Sequence, residues 1–285
     1  MKLIEVGVVL VLAVAGPSWT MPDKGYLTNK MSAEIDSDEF GQFRGRKNTS
    51  CNCGWTNKGS GRIVGGRETR VNEYPYMVGY GELHPKYPKV KDVAISCGAT
   101  IITNHHVLTA AHCTFGDHEL NAGIVVGEHD ESRSRSKYTR VYPVSRMIEH
   151  EGWTLKTFKN DIALLFIKEE IEFNMAVGPA CLPTQRPNIV GDHVLITGWG
   201  EVQNRADNPD VLRKVHLRVI KLDYCGEAYP HQKIDLKKPT QLCTYSYKRD
   251  SCQGDSGGPV AWLDPDTNRY TLVGVVSFSK ACAGQ

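Results

Sequence analysis

From residue 63 onward the sequence predicts an all-β domain, and two observations carry that prediction. Short stretches of β-branched or alternating apolar residues recur between turns, and no 3.6-residue apolar period is sustained long enough for a long helix. In order, the stretches are Val93-Ala94-Ile95-Ser96, Ala99-Thr100-Ile101-Ile102, Ala122-Gly123-Ile124-Val125-Val126, Val194-Leu195-Ile196-Thr197, Val215-His216-Leu217-Arg218-Val219-Ile220 and Leu272-Val273-Gly274-Val275-Val276. The fifth shows the logic best, because its valines and leucine alternate with His216 and Arg218, as in a strand with one buried face. With 40% hydrophobic residues among 285, the chain has ample material for one large packed domain or two small ones.

The first 62 residues read differently. Lys2 precedes an apolar run over residues 6–15, and Ala13-Val14-Ala15 offers small residues for cleavage. This is the pattern of a secretory signal over 1–15. The run is too short to span a bilayer and Gly16-Pro17 ends it, so a secreted, extracellular protein without a membrane anchor is expected. Residues 16–62 are polar and irregular, with an acidic patch (Asp36, Asp38, Glu39) and a basic one (Arg44, Arg46, Lys47). Such a composition cannot bury enough apolar surface to fold alone, which suggests a flexible pro-segment. In a secreted chain, Asn48-Thr49-Ser50 makes Asn48 a glycosylation acceptor. A net charge of +2 gives no reason to expect nucleic acid or an anionic membrane as partner. Nine cysteines suit an oxidising route, but spacing cannot choose among their possible pairings. A zinc reading of Cys51-Asn52-Cys53 lacks a second ligand pair at suitable spacing.

The chemistry is concentrated in three motifs. Gly254-Asp255-Ser256-Gly257-Gly258-Pro259 presents a serine, Thr109-Ala110-Ala111-His112-Cys113 a histidine, and Asn160-Asp161-Ile162-Ala163-Leu164-Leu165 an aspartate. A serine hydroxyl is a weak nucleophile at neutral pH. It becomes useful when an imidazole takes its proton and a buried carboxylate fixes that imidazole's tautomer. An isolated Gly-Asp-Ser is a turn and a lone histidine is usually structural, so the weight rests on all three occurring in one order. In that order, His then Asp then Ser, the motifs resemble those of the chymotrypsin-like (trypsin-type) serine peptidases.

The resemblance covers residues 62–285 and implies two packed six-stranded antiparallel barrels, dividing near 176–190, with the active site in the cleft between them. It implies a secreted zymogen of an endopeptidase with Ser256 as nucleophile, His112 as general base and then acid, and Asp161 orienting the imidazole. The N–H groups of Gly254 and Ser256 would form the oxyanion hole. In Arg62-Ile63-Val64-Gly65-Gly66, cleavage after Arg62 would free the Ile63 amine to pair with Asp255. Asp250, with Ser251 beside it, would floor a pocket for Arg or Lys before the scissile bond, and Ser277, Phe278 and Ser279 would line it. Disulfides Cys97–Cys113, Cys225–Cys243 and Cys252–Cys282 are implied, with Cys181 bridged to Cys53 or Cys51. Protein or peptide substrates, an activating protease and protein inhibitors are the implied partners, with no cofactor and no metal. The Cys-x-Cys-Gly-Trp approach to Arg62 is similar to that of secreted arthropod proteases of venom, saliva or haemolymph. Homologues that only bind partners in a cascade usually lack a triad residue, whereas this chain keeps all three types.

Several positions depart from that family's pattern. Phe278-Ser279 follows Ser277 where relatives usually have Trp-Gly. The bridge that many relatives place across the second barrel is missing, with Leu195 and Trp262 at the matching places. Gly127-Glu128-His129-Asp130 begins like the calcium loop but runs into Ser132-Arg133-Ser134-Arg135-Ser136-Lys137, cations where oxygen ligands are needed. Residues 82–91 look like an insertion, with His84, Lys86, Lys89 and Lys91. A solvated loop is the first expectation for it and an exosite for acidic surfaces the second. The sequence given stops at Gln285, three residues past Cys282, where relatives continue, so an exposed sheet edge is expected in the second barrel.

Overall fold

The segment Ala163–Ile167 buries alternate residues while Leu164 and Phe166 stay half-exposed, and this two-residue period recurs around a closed barrel. The computed structural model describes residues 9–13, 52–57, 67–83, 93–117, 121–132, 136–200, 210–232, 234–245 and 254–279. Its elements are β1 (Val9–Ala13), β2 (Arg67–Glu68), β3 (Met77–Leu83), β4 (Val93–Ile101), β5 (His106–Thr109), α1 (Ala111–Thr114), β6 (Ala122–Val126), β7 (Arg140–Glu149), β8 (Ala163–Ile167), β9 (His193–Gly198), β10 (Arg213–Ile220), α2 (Leu222–Ala228), β11 (Gln241–Tyr245), β12 (Pro259–Asp264) and β13 (Arg269–Ser279). Apart from residues 9–13 and 52–57, the stretches read as leader and pro-segment lie outside the described residues, as do Asn48, Cys51, Arg62, Ile63, Asp250, Ser251, Cys252, Cys282 and most of the 82–91 insertion.

Strands β3-β4-β5-β8-β7-β6 close the first barrel, every pairing antiparallel. Its interior is filled by Val78, Tyr80, Ile101, Ile124, Leu165 and Ile167. The second sheet runs β11-β1-β13-β12-β9-β10-β2, and a further β10–β11 pairing curls it back on itself. Val194, Ile196, Leu217, Val219, Val260 and Val276 fill that curl. One strand of this sheet comes from outside the 63–285 domain. β1 lies between β11 and β13 and runs parallel to both, in the sheet position that β8 occupies antiparallel in the first barrel. β1 belongs to the stretch read as a leader over 1–15, so it covers the edge between β11 and β13 only where that stretch is retained.

Two expectations change. The stretches starting at Val93 and Ala99 form one strand, β4, because Tyr80 faces Cys97 and Gly81 faces Ile95. Ser96 is then an extra residue, and the bulge bends the strand without ending it. The residues matched to the missing bridge do not face each other either. Trp262 lies opposite Val194, while Leu195 lies opposite Ala261, so Leu195 and Trp262 project to opposite faces. Trp262 instead donates from its ring nitrogen to Asp192 Oδ2 at 3.1 Å.

A third cluster joins the two halves. Tyr74, Tyr76 and Met77 precede or begin the first barrel, and they pack with Leu195, Trp199, Tyr270 and Leu272 of the second. The rings of Tyr74 and Tyr270 meet edge-on with centroids 5.9 Å apart. Beside them, the buried Glu73 carboxylate accepts from Lys214 Nζ on β10 at 2.6 Å and from the Arg70 N–H at 2.9 Å. Burial alone would raise the Glu73 pKa, but the Lys214 charge and hydrogen bond overcome it and hold the carboxyl below its ordinary value. Removing one partner of such a pair strands the other charge, so Glu73→Gln is expected to cost about 3 kcal/mol at neutral pH, read as a lower urea midpoint. A carboxyl whose folded pKa is depressed contributes stability above its unfolded value. The wild-type advantage should therefore be complete above about pH 4.5 and vanish as pH falls through the folded pKa.

Candidate active site

Two strand pairings bring the proposed triad residues to the seam. β5 and β8 are hydrogen-bonded neighbours with Thr109 opposite Ala163. The residues just beyond the end of β5 and just before the start of β8 therefore come together, and these are α1 with His112 and the turn carrying Asp161. In the other half, β12 and β13 pair with Pro259 opposite Val275, which sets the turn holding Ser256 beside Ser277.

Asp161 is fully buried, and it accepts three hydrogen bonds. The backbone N–H of His112 donates to Oδ1 at 2.8 Å, His112 Nδ1 to Oδ2 at 2.7 Å, and the Ser277 hydroxyl to Oδ2 at 2.5 Å. A buried carboxylate is tolerable only when paired and hydrogen-bonded, and bonds to charged groups contribute about 1.5–3 kcal/mol each. Because a carboxylate only accepts, the proton of a neutral His112 sits on Nδ1 and the lone pair on Nε2. That is the tautomer a general base requires. The sulfur of Cys113 lies 3.8 Å from Nε2 and is bound in the bridge to Cys97, so no thiolate is left there to hold a metal.

The Ser256 turn is locked against the first barrel. The Gly98 N–H of β4 donates to the Ser256 carbonyl at 2.7 Å, and the Thr109 hydroxyl donates to the Gly98 carbonyl at 2.8 Å. Gly257 adopts φ +75°, and a Cβ there would lie 2.1 Å from Thr109 Oγ1. Only glycine allows both the left-handed backbone and this approach. Among the described residues neither the Gly254 nor the Ser256 amide finds an acceptor, leaving two backbone donors open. No hydrogen bond joins Ser256 to His112 here. Such bonds are often long in ligand-free enzymes and tighten with substrate. Asp255, next to Ser256, is buried, and its Oδ1 accepts from the Gly200 N–H at 3.0 Å.

Of the residues expected to line the specificity pocket, Ser277 is buried and turns its hydroxyl to Asp161. Phe278 and Ser279 are half-exposed at the end of β13. Phe278 belongs to an aromatic chain, with centroid distances of 5.2 Å to Tyr229, 5.4 Å to Phe158 and on to His112 at 5.6 Å from Phe158. Phe158 and Tyr229 were not visible to sequence reasoning. Phe158 sits in a turn at φ +50°, a strained conformation for a bulky residue and one that clusters at functional sites. Its only sequence signal is its place three residues before Asp161.

Cys53–Cys181, Cys97–Cys113 and Cys225–Cys243 are bridged, and the alternative pairing of Cys181 with Cys51 is thereby excluded. Among the described residues no helix is long and apolar enough to cross a membrane.

Fold and site together define a serine peptidase of the two-barrel kind. Residues 63–285 match the sequence model of the family described as Trypsin. A venom serine protease of Polistes dominula is 38% identical over 82% of this chain and 81% of its own length. Venom serine protease 34 of Apis mellifera is 35% identical over 84% of the chain and 57% of its own length. Trypsin-1 of Astacus astacus is 34% identical over 78% and 90%. The chain belongs to the trypsin family of serine peptidases.

If Asp161 holds His112 as described, the Nδ1 proton is sheltered from exchange. A low-field proton resonance from His112 is expected by NMR in the wild type, and its disappearance is expected in Asp161→Ala.

Proposed function

We propose that the protein is the secreted zymogen of a trypsin-like endopeptidase that cleaves after Arg or Lys. The observation that carries this reading is the buried Asp161 holding His112 Nδ1, with the Ser256 turn fastened through Gly98 of β4 to the barrel that carries His112. In the mechanism, Ser256 Oγ attacks the scissile carbonyl carbon while His112 Nε2 takes the hydroxyl proton. The carbonyl oxygen becomes an oxyanion, which the Gly254 and Ser256 amides stabilise. The C–N bond then breaks, His112 returns the proton to the leaving amine, and an acyl-Ser256 ester remains. Water, deprotonated by His112, attacks that ester and frees Ser256.

Specificity rests on Asp250, whose carboxylate would need a cationic side chain as partner once desolvated. Activation rests on Arg62. Cleavage there gives Ile63 an ammonium, and the buried Asp255 next to Ser256 is the carboxylate that would receive it. A new ion pair in a water-poor site can bias a local conformational equilibrium. Secretion fits the leader pattern and the three bridges.

The test is hydrolysis of an arginyl amide by secreted protein before and after limited cleavage at Arg62. Activity should appear only after cleavage and be abolished in Ser256→Ala, and Asp161→Asn should lower kcat by about 10⁴-fold. Asp250→Ser should remove the preference for Arg and Lys while sparing the response of Ser256 to small activated esters. Silence from a folded, correctly cleaved chain would favour the alternative of a non-catalytic homologue that binds partners in a cascade.

A further inference from the structure

Residues 54–57 precede the peptidase domain in sequence yet are built into its surface. The Gly54 N–H donates to the Pro179 carbonyl at 2.8 Å, and the Tyr270 N–H donates to the Gly54 carbonyl at 2.8 Å. Gly54 thereby spans the linker between the halves and β13. Trp55 packs against Gly178, where a Cβ would be 2.0 Å from the ring, and its Nε1 donates to the Met175 carbonyl at 3.4 Å. Asn57 closes the segment. Its N–H donates to the Glu73 carbonyl at 3.0 Å, and its Nδ2 donates to the carbonyls of Asn72, at 2.8 Å, and Met175.

These contacts reach three regions at once: the approach to the first barrel (72–73), the linker (175–179) and the second barrel (270). Neither the Trp55 packing nor the Asn57 bonds involve the Cys53–Cys181 bridge. We propose that residues 54–57 are a built-in peptide ligand of the peptidase domain, seated by Trp55 and Asn57 across the seam of the two barrels. On this view the Cys53–Cys181 disulfide secures what side-chain recognition of residues 54–57 already holds. The groove is specific for a Gly-Trp-x-Asn segment. It offers backbone carbonyls to the carboxamide, Gly178 to the indole, and strand-like pairing to the glycine.

The test depends neither on activity nor on cleavage at Arg62. A recognition site for an unrelated sequence-specific protease replaces residues 58–61, and Cys51, Cys53 and Cys181 are changed to Ser. After cutting, the N-terminal fragment is expected to co-elute with the domain in gel filtration. With Trp55→Ala and Asn57→Ala added, it is expected to elute separately, with dissociation at least 100-fold faster. Immediate release in the bridge-free protein would overturn the proposal, and so would retention despite both substitutions. If the bridge-free chain does not fold, amide exchange decides in the bridged one. Trp55→Ala should speed exchange of the Asn57 N–H at least tenfold, and an unchanged rate would overturn the proposal.

Discussion

The buried carboxylate of Asp161 is the constraint on which the rest of the site depends. A charge with no solvent exposure must be satisfied by fixed donors, and the fold supplies them from both halves: two from His112 in the first barrel and one from Ser277 in the second. The same three bonds orient the imidazole, set its tautomer and fasten one barrel to the other. Loss of any donor leaves an under-satisfied charge, so the geometry of the imidazole and the relative position of the barrels are energetically tied.

Around that centre the seam is reinforced by different kinds of contact. The tyrosine cluster of Tyr74, Tyr76 and Tyr270 adds apolar area. The Glu73–Lys214 pair adds a buried ionic link between the approach to β3 and β10. Gly98 and Thr109 tie the serine turn to the barrel that carries the histidine. The proposed reaction between groups from separate barrels requires this redundancy, because a misplacement of about 1 Å at the reacting atoms can cost on the order of 100-fold in rate.

The legible parts of the sequence were those where chemistry is local. The motifs around His112, Asp161 and Ser256 could be read because each needs a particular short string, and the alternation in residues 215–220 marked β10 because one face of that strand is buried. What depended on register was not legible. Nothing in residues 93–102 says that a bulge at Ser96 keeps the strand whole, and counting along motifs matched Leu195 to Trp262 where the strand pairing sets Val194. The choice between Cys51 and Cys53 rested on Gly54 pairing with residues 179 and 270, partners more than a hundred positions away. Phe158 and Tyr229 escaped notice because aromatic residues in turns and helix ends carry no periodic signature.

The central claim is that Ser256 is activated by the His112–Asp161 pair, and the most direct measurement is covalent labelling of the cleaved protein with a phosphonofluoridate, located by peptide mass mapping. The account predicts stoichiometric phosphonylation of Ser256 with loss of fluoride, and labelling slowed by orders of magnitude in Asp161→Asn and absent in Ser256→Ala. Labelling at another residue, or at an unchanged rate without Asp161, would contradict it.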